Sequence, residues 1–280
     1  MSPSIATTMQ AAASALARPQ RIDAATPIRV GVDLGTACTV IVVTDEQGRP
    51  LAAANQFADV VRDGIVWDFA GAMDVVRGLK TRLEEDTGRE LGQGAVTVPP
   101  STSNSDHRAH RYVIEGAGIE CDAVVDETTA ANAVLGVRDG AVVDIGGGTT
   151  GVAILRGGEL VRTVDEPSGG THLSLVIAGA RKISFEQAEK LKMNPELHAE
   201  LLPIVRPTLQ KIATIVRAAV RGERIRQIHL VGGTAAFTGI AGIMSEVTGL
   251  PSIVAPEPML VTPLGVASWA NPIPGKGDPR

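Results

Sequence analysis

The chain alternates short, apolar, β-branched runs with longer stretches in which apolar residues recur every three or four positions. From residue 28, Ile28-Arg29-Val30-Gly31-Val32 and Thr39-Val40-Ile41-Val42-Val43 read as two strands around the turn Asp33-Leu34-Gly35-Thr36, with a third strand at 51–56. Met73, Val76, Leu79 and Leu83 share one side of a helix over 68–86. The pattern then predicts a strand at 95–98 stopped by Pro99-Pro100, and a helix entered through Ser or Asp and closed by Gly116. A strand at 123–125 leads into a helix opening on Asp126-Glu127. At 142–153 a second strand, turn and strand surround Gly146-Gly147-Gly148, and a hairpin joins 151–155 to 159–164. Helices are expected at 170–182, 184–192 and 196–222, the last kinked or restarted at Pro203 and Pro207. A strand at 225–231, a helix from Gly232-Gly233-Thr234 to Thr248, a strand at 252–255 and a helix at 263–270 complete the pattern. Strands alternating with helices predict an α/β protein whose sheets are covered by helices.

Two segments stand outside this pattern. Residues 1–27 are rich in Ala, Ser and Pro. Ile5, Met9, Ala12 and Leu16 fall on one face, which would suit a short docking helix, but the composition favours a disordered tail. Residues 271–280 are expected to be a second such tail.

Composition narrows the picture. A chain of 280 residues suits one large domain or two lobes, and with aromatic residues at only 2% the core must be built from Ala, Val, Ile and Leu. A net charge of −5 argues against broad binding to nucleic acid. No apolar stretch reaches the roughly 18 residues of a membrane helix, and the start lacks a secretory pattern. Cys38 and Cys121 form no C-x-x-C pair and are expected to be buried in a protein of the reducing cytosol. His107 and His110 beside Asp106 have metal-like spacing, yet an exposed helix face explains them more simply. Arg217, Arg221, Arg224 and Arg226 read as a solvated basic face.

The chemistry lies in the two glycine turns. Each carries an Asp at the end of a strand, then glycine and Thr: Asp33, Gly35 and Thr36 in the first, Asp144, Gly146, Gly147, Gly148 and Thr149 in the second. Glycine can adopt φ > 0, and its N–H groups can approach a ligand and form an anion nest; a neighbouring carboxylate suits Mg²⁺ held through water. Either turn alone could be an ordinary hairpin. Two of them, about 110 residues apart, suggest two similar lobes.

Five motifs occur in order: Asp33-Leu34-Gly35-Thr36, a helix at 127–136 opening Glu127-Thr128-Thr129, the glycine run at 142–153, Gly232-Gly233-Thr234 within 228–240, and 258–270. This arrangement resembles that of the actin, heat-shock-chaperone and sugar-kinase superfamily. The stretches 59–69 and 246–267 are similar to MreB-like proteins, and the sequence most resembles the EutJ family, encoded with bacterial ethanolamine-utilisation microcompartments and described as chaperone-like. The resemblance implies a two-lobed actin-like ATPase (ribonuclease-H-like) fold, with lobe I at 28–138 plus 261–270 and lobe II at 139–260. It implies ATP or ADP and Mg²⁺ as cofactors. Backbone N–H groups, Thr36 and Thr149 would hold phosphates, Asp33 and Asp144 would fix the metal through water, and Glu127 would position the attacking water. Gly232, Gly233 and Thr234 would approach adenosine, with Glu186 and Lys190 as the ribose and base contacts; a surface ion pair at i, i+4 explains those two equally well. Implied partners are the nucleotide and enzyme or shell proteins of the ethanolamine-utilisation system, in the cytoplasm or at the microcompartment.

Departures shape the expected activity. About 25 residues separate Asp33 from the Asp59 stretch, so the outer subdomains are reduced. The region in which chaperones carry a catalytic lysine is missing, so hydrolysis should be slow. The chain is thus read as an ATP-binding, slowly hydrolysing switch. The alternative is a nucleotide-binding scaffold without turnover. A small-molecule kinase, with Asp63 or Asp68 as its base, is a weaker fit to so short a chain.

Overall fold

The computed structural model describes residues 4–62 and 64–275. The chain forms two compact units, one running to Leu135 and resuming at Leu260, the other Gly136–Met259.

The first unit contains α1 (Ile5–Ala17), β1 (Ile28–Leu34), β2 (Cys38–Asp45), β3 (Pro50–Phe57), the small hairpin β4 (Val61–Arg62) and β5 (Ile65–Val66), α2 (Phe69–Thr87), β6 (Gln93–Val98), α3 (Asn104–Gly116), β7 (Glu120–Asp126) and α4 (Glu127–Leu135). Its sheet has the order β3-β2-β1-β6-β7. The second contains β8 (Gly140–Ile145), β9 (Thr150–Arg156), β10 (Glu159–Glu166), α5 (Gly170–Arg181), α6 (Phe185–Lys192), α7 (His198–Val220), β11 (Ile228–Val231), α8 (Ile240–Thr248) and β12 (Ser252–Val254). Its sheet has the order β10-β9-β8-β11-β12. A ninth helix, α9 (Pro258–Val266), carries the chain back into the first unit.

The two sheets share one design. In each, the first three strands pair antiparallel through short connections, and the first strand then pairs parallel with a fourth, reached across a helical crossover. The repeat suggested by the two glycine turns is therefore a repeat of whole sheets. Strand β8 is buried throughout, as expected of a central strand covered on both faces. The cores are aliphatic: Val30, Val32, Ile41 and Leu83 in one unit, Val143, Ile154, Leu209 and Ile212 in the other.

Several expectations need correction. Residues 5–17 are a helix: Ser4 caps it by accepting from the Thr7 N–H, and Met9 and Ala12 are fully buried where α1 packs on β3. Alanine suggested a tail, but it is also the strongest helix former, and here its small side chain permits close docking. Helix α7 runs unbroken through Pro203 and Pro207, after a 3₁₀ turn at Pro195–Leu197. Each proline removes a helical hydrogen bond, but Leu201, Val205, Leu209, Ile212 and Val216 bury one continuous stripe. Gly232-Gly233-Thr234 opens a 3₁₀ turn, Gly233–Ala236, and α8 begins only after the left-handed Gly239.

The last segment also differs. Helix α9 starts five residues before the expected 263, with Pro263 inside it. Gly265 sits so close to α4 that a Cβ there would lie 1.8 Å from the Ala130 carbonyl oxygen. Gly31 likewise brings β1 against the Pro263 carbonyl. Ile273 exchanges backbone hydrogen bonds with Ile28, and Pro274 accepts from the Arg89 guanidinium. The expected tail is thus anchored as far as these residues; 276–280 lie outside the described residues.

His110 is not on an exposed face. It is fully buried, with Nδ1 2.9 Å from the Asp106 carbonyl, which fixes the proton on Nδ1. Burial lowers its pKa. Cys121 is buried as expected, whereas Cys38 is half-buried. The four arginines at 217, 221, 224 and 226 are exposed.

Candidate nucleotide site

The two glycine turns are equivalent in backbone detail. The Gly35 N–H donates to the Cys38 carbonyl and the Gly146 N–H to the Thr149 carbonyl, closing two-residue hairpins tipped by Thr36-Ala37 and Gly147-Gly148. By this pairing Thr36 corresponds to Gly147, and Thr149 to Cys38. None of Gly35, Gly146, Gly147 or Gly148 adopts the left-handed region. Close approach is imposed instead by Gly169, which precedes α5. A Cβ on Gly169 would lie 2.6 Å from the Gly147 carbonyl oxygen, and the first N–H groups of α5, from Gly170 and Thr171, donate to the Gly146 and Gly147 carbonyls at 2.9 and 2.8 Å.

Asp33 and Asp144 occupy matching places near the end of the first strand of each sheet. Asp33 accepts a 2.5 Å hydrogen bond from the Thr97 hydroxyl of β6, which fixes its carboxylate. Its charge adds to burial in pushing the Cys38 thiol up to about 12. Asp144 is 5% exposed, and the Gly232 backbone presses on it: a Cβ there would lie 2.3 Å from its Oδ1. Gly232 also has φ +88°, so glycine is required twice over. Among the described residues no three His, Cys, Asp or Glu side chains converge to hold a metal directly. The single buried carboxylate of Asp144 beside its glycine turn would suit a Mg²⁺ held through water rather than a directly ligated metal.

The second unit gathers further groups around its glycine turn. The Thr234 hydroxyl donates to the Gly146 carbonyl at 2.7 Å. Lys192, at the end of α6, reaches the Gly170 carbonyl at 3.1 Å and pairs with Glu189 at 2.7 Å, with side chains 9% and 19% exposed. Glu189 also accepts from Ser174 of α5. Burial lowers the Lys192 pKa, against the opposing pull of Glu189. The glycine turn, the start of α5, the 3₁₀ turn and α6 therefore meet at one point. Glu186 and Lys190 are exposed on α6 and take no part in this cluster. Glu189 and Lys192, which are not among the residues expected to contact a ligand, do take part in it. Their signal was Ala188, the one buried residue of α6, which shares its face with Lys192 at i, i+4.

Glu127 is the first residue of α4 and half-buried. The helix is capped by its neighbour: Asp126 accepts from the Thr129 N–H at 2.8 Å and the Thr128 hydroxyl at 2.6 Å. Capping therefore does not account for Glu127. Asp68 is engaged as the cap of α2, accepting from the Gly71 N–H at 2.9 Å, and Asp63 lies outside the described residues.

Paired sheets of one topology, each opening on an Asp and a glycine turn, define the class: this is an actin-like ATPase fold. The family model for the cell division protein FtsA matches residues 141–271, and that for Hsp70 protein matches 70–174. MreB5 of Spiroplasma citri, solved bound to ADP, superposes with a TM-score of 0.67 at 17% identity, over 85% of this chain and 94% of that one. The ethanolamine utilization protein EutJ of Escherichia coli K12 is 42% identical over 244 residues, 86% of each chain. The crystal structure of EutJ from Carboxydothermus hydrogenoformans superposes with a TM-score of 0.89 at 43% identity, over 95% of this chain and 98% of that one. The chain belongs to the EutJ family.

Proposed function

We propose that the protein is an ATP-binding, slowly hydrolysing switch that assists the enzymes or assembly of ethanolamine-utilising microcompartments in the cytoplasm. The observation that carries this reading is the convergence of Gly146, Gly170, Thr234 and Lys192 in the second unit. It joins a phosphate-type turn, a helix N-terminus and a buried cation. In this reading Gly146, Gly147, Gly148 and Thr149 approach phosphates, and Gly232, Gly233 and Thr234 approach adenosine. Glu186 and Lys190 on the exposed face of α6 are the expected ribose and base contacts, with the buried pair Glu189 and Lys192 beside Gly170 as further candidates. In the first unit Gly35 and Thr36 offer a second phosphate contact. Asp33 and Asp144 would hold Mg²⁺ through water, and the ion would neutralise charge on the phosphates. Glu127 orients the attacking water, a task that needs placement more than basicity.

The test is titration calorimetry with Mg·ATP together with a turnover assay. Wild type is expected to bind and hydrolyse slowly, Asp144→Ala to lose binding, and Glu127→Ala to bind without turnover. Equal turnover in wild type and Glu127→Ala would remove the switch. If assembly in cells survives Glu127→Ala but fails when Asp33 and Asp144 are replaced, a non-hydrolysing scaffold is the correct reading.

A further inference from the structure

His198, the first residue of α7, lies between two parts of the candidate site. It is 4% exposed, and its ring stacks on Phe237 with centroids 4.1 Å apart and planes 24° from parallel. Its Nδ1 is 2.9 Å from the Thr238 N–H and 3.0 Å from the Thr238 hydroxyl. Its Nε2 is 2.8 Å from the Lys192 carbonyl. A backbone N–H can only donate and a carbonyl can only accept. Nδ1 is therefore the bare nitrogen and Nε2 carries the proton. One imidazole thus bridges the last residue of α6 to Thr238, the second residue after the 3₁₀ turn.

We infer that His198 is a positioning residue that fixes the Gly232-Gly233-Thr234 turn relative to the helix carrying Glu189 and Lys192, and so sets adenosine recognition. The inference rests on the nucleotide reading above. Gly239, directly after Thr238, has φ +99°, and the 3₁₀ turn is only four residues long. The Thr234 hydroxyl bond to Gly146 holds one end of this segment, and His198 holds the other. A turn pinned at both ends loses little freedom when a ligand arrives, which favours binding. Phosphate contacts at Gly146–Thr149 do not pass through His198, so the residue acts on the nucleoside end.

The experiment compares wild type, His198→Phe and His198→Asn in the full chain. Phe keeps the stack and removes both hydrogen bonds. Asn places a carboxamide oxygen near the Nδ1 position, where it can accept from Thr238. Hydrogen exchange of the 233–239 segment is read without ligand, and affinities for ATP and for inorganic tripolyphosphate are read by calorimetry. His198→Phe should exchange faster at Thr238 and lose about tenfold in ATP affinity, with tripolyphosphate affinity unchanged; His198→Asn, which accepts from Thr238 but does not reach the Lys192 carbonyl, should recover the exchange and only part of the affinity. Unchanged exchange in His198→Phe overturns the inference whatever the nucleotide result. A parallel fall in both affinities also overturns it, because it would show a general loss of fold. If wild type itself binds no ATP, the nucleotide reading fails, and adenosine recognition by His198 fails with it.

Discussion

Gly232 and Gly249 allow the crowding of Asp144 to be set against a substitution that meets open space. Both have positive φ, but Gly249 (φ +73°, ψ 10°) is left-handed α, whereas Gly232 (φ +88°, ψ 159°) lies in a region essentially reserved for glycine. A Cβ on Gly249, which ends α8, would meet nothing within 4 Å. A Cβ on Gly232 would lie 2.3 Å from Asp144 Oδ1 and 2.5 Å from the Ile145 carbonyl oxygen. Gly249→Ala should therefore show the conformational cost alone, about 1–2 kcal/mol. Gly232→Ala carries a conformational cost at least as large, about 1–3 kcal/mol, plus the displacement of a buried carboxylate or a strand backbone, about 1–3 kcal/mol more. At about 2–4 °C per kcal/mol for a chain of this order of size, the two melting temperatures should differ by several degrees. Thermal denaturation gives the stability difference, and calorimetry with Mg·ATP gives the functional one. Gly249→Ala should bind as wild type does, while Gly232→Ala should lose binding even well below its melting temperature. Equal melting temperatures, or undiminished ATP affinity in Gly232→Ala, would show that Asp144 is not held by this contact.

Other consequences can be checked separately. Lys192→Met leaves Glu189 with Ser174 alone and should destabilise by about 3–5 kcal/mol; adding Glu189→Leu should recover stability in urea denaturation but not nucleotide affinity. Met9→Ala should cost about 2–4 kcal/mol by the same measurement, whereas a loose tail would give no change. His110 stays neutral when folded, because burial lowers its pKa, while the unfolded chain takes up a proton below about pH 6.5. Stability should therefore fall as pH drops through that value, by at most about 1.4 kcal/mol per pH unit from this group, and His110→Phe should flatten the slope. The Cys38 and Cys121 thiols, raised to about 12 and about 11, should resist alkylation at pH 8 until the protein is denatured.

The strands and both Asp–glycine turns were legible because apolar β-branched runs between turn residues have few alternative readings. Helix α1 was not, since its apolar face consists mainly of alanine, and alanine is equally common in tails. The glycines of 146–148 marked the turn on which the start of α5 packs, but not through left-handed backbone; the close packing there is set by Gly169. On α6 the i, i+4 pair Glu186 and Lys190 drew attention to the solvent side. Only the fold shows that Ala188 marks the inner face, and that Glu189 and Lys192 are buried beside Gly170. Pro203 and Pro207 were read as breaks because local propensity cannot register a buried stripe longer than the local cost.

The return of residues 260–275 to the first unit bears on the order in which the protein is made. Gly136–Met259 is one uninterrupted stretch and has all its strands as soon as β12 is complete. The first unit is synthesised earlier but waits: Gly31 is still without α9, Arg29 without the Ser268 and Ala270 carbonyls, and Ile28 without Ile273. The half of the protein that leaves the ribosome first is therefore the half that finishes folding last. Until it does, the face of β1 that receives α9 is the surface most in need of protection.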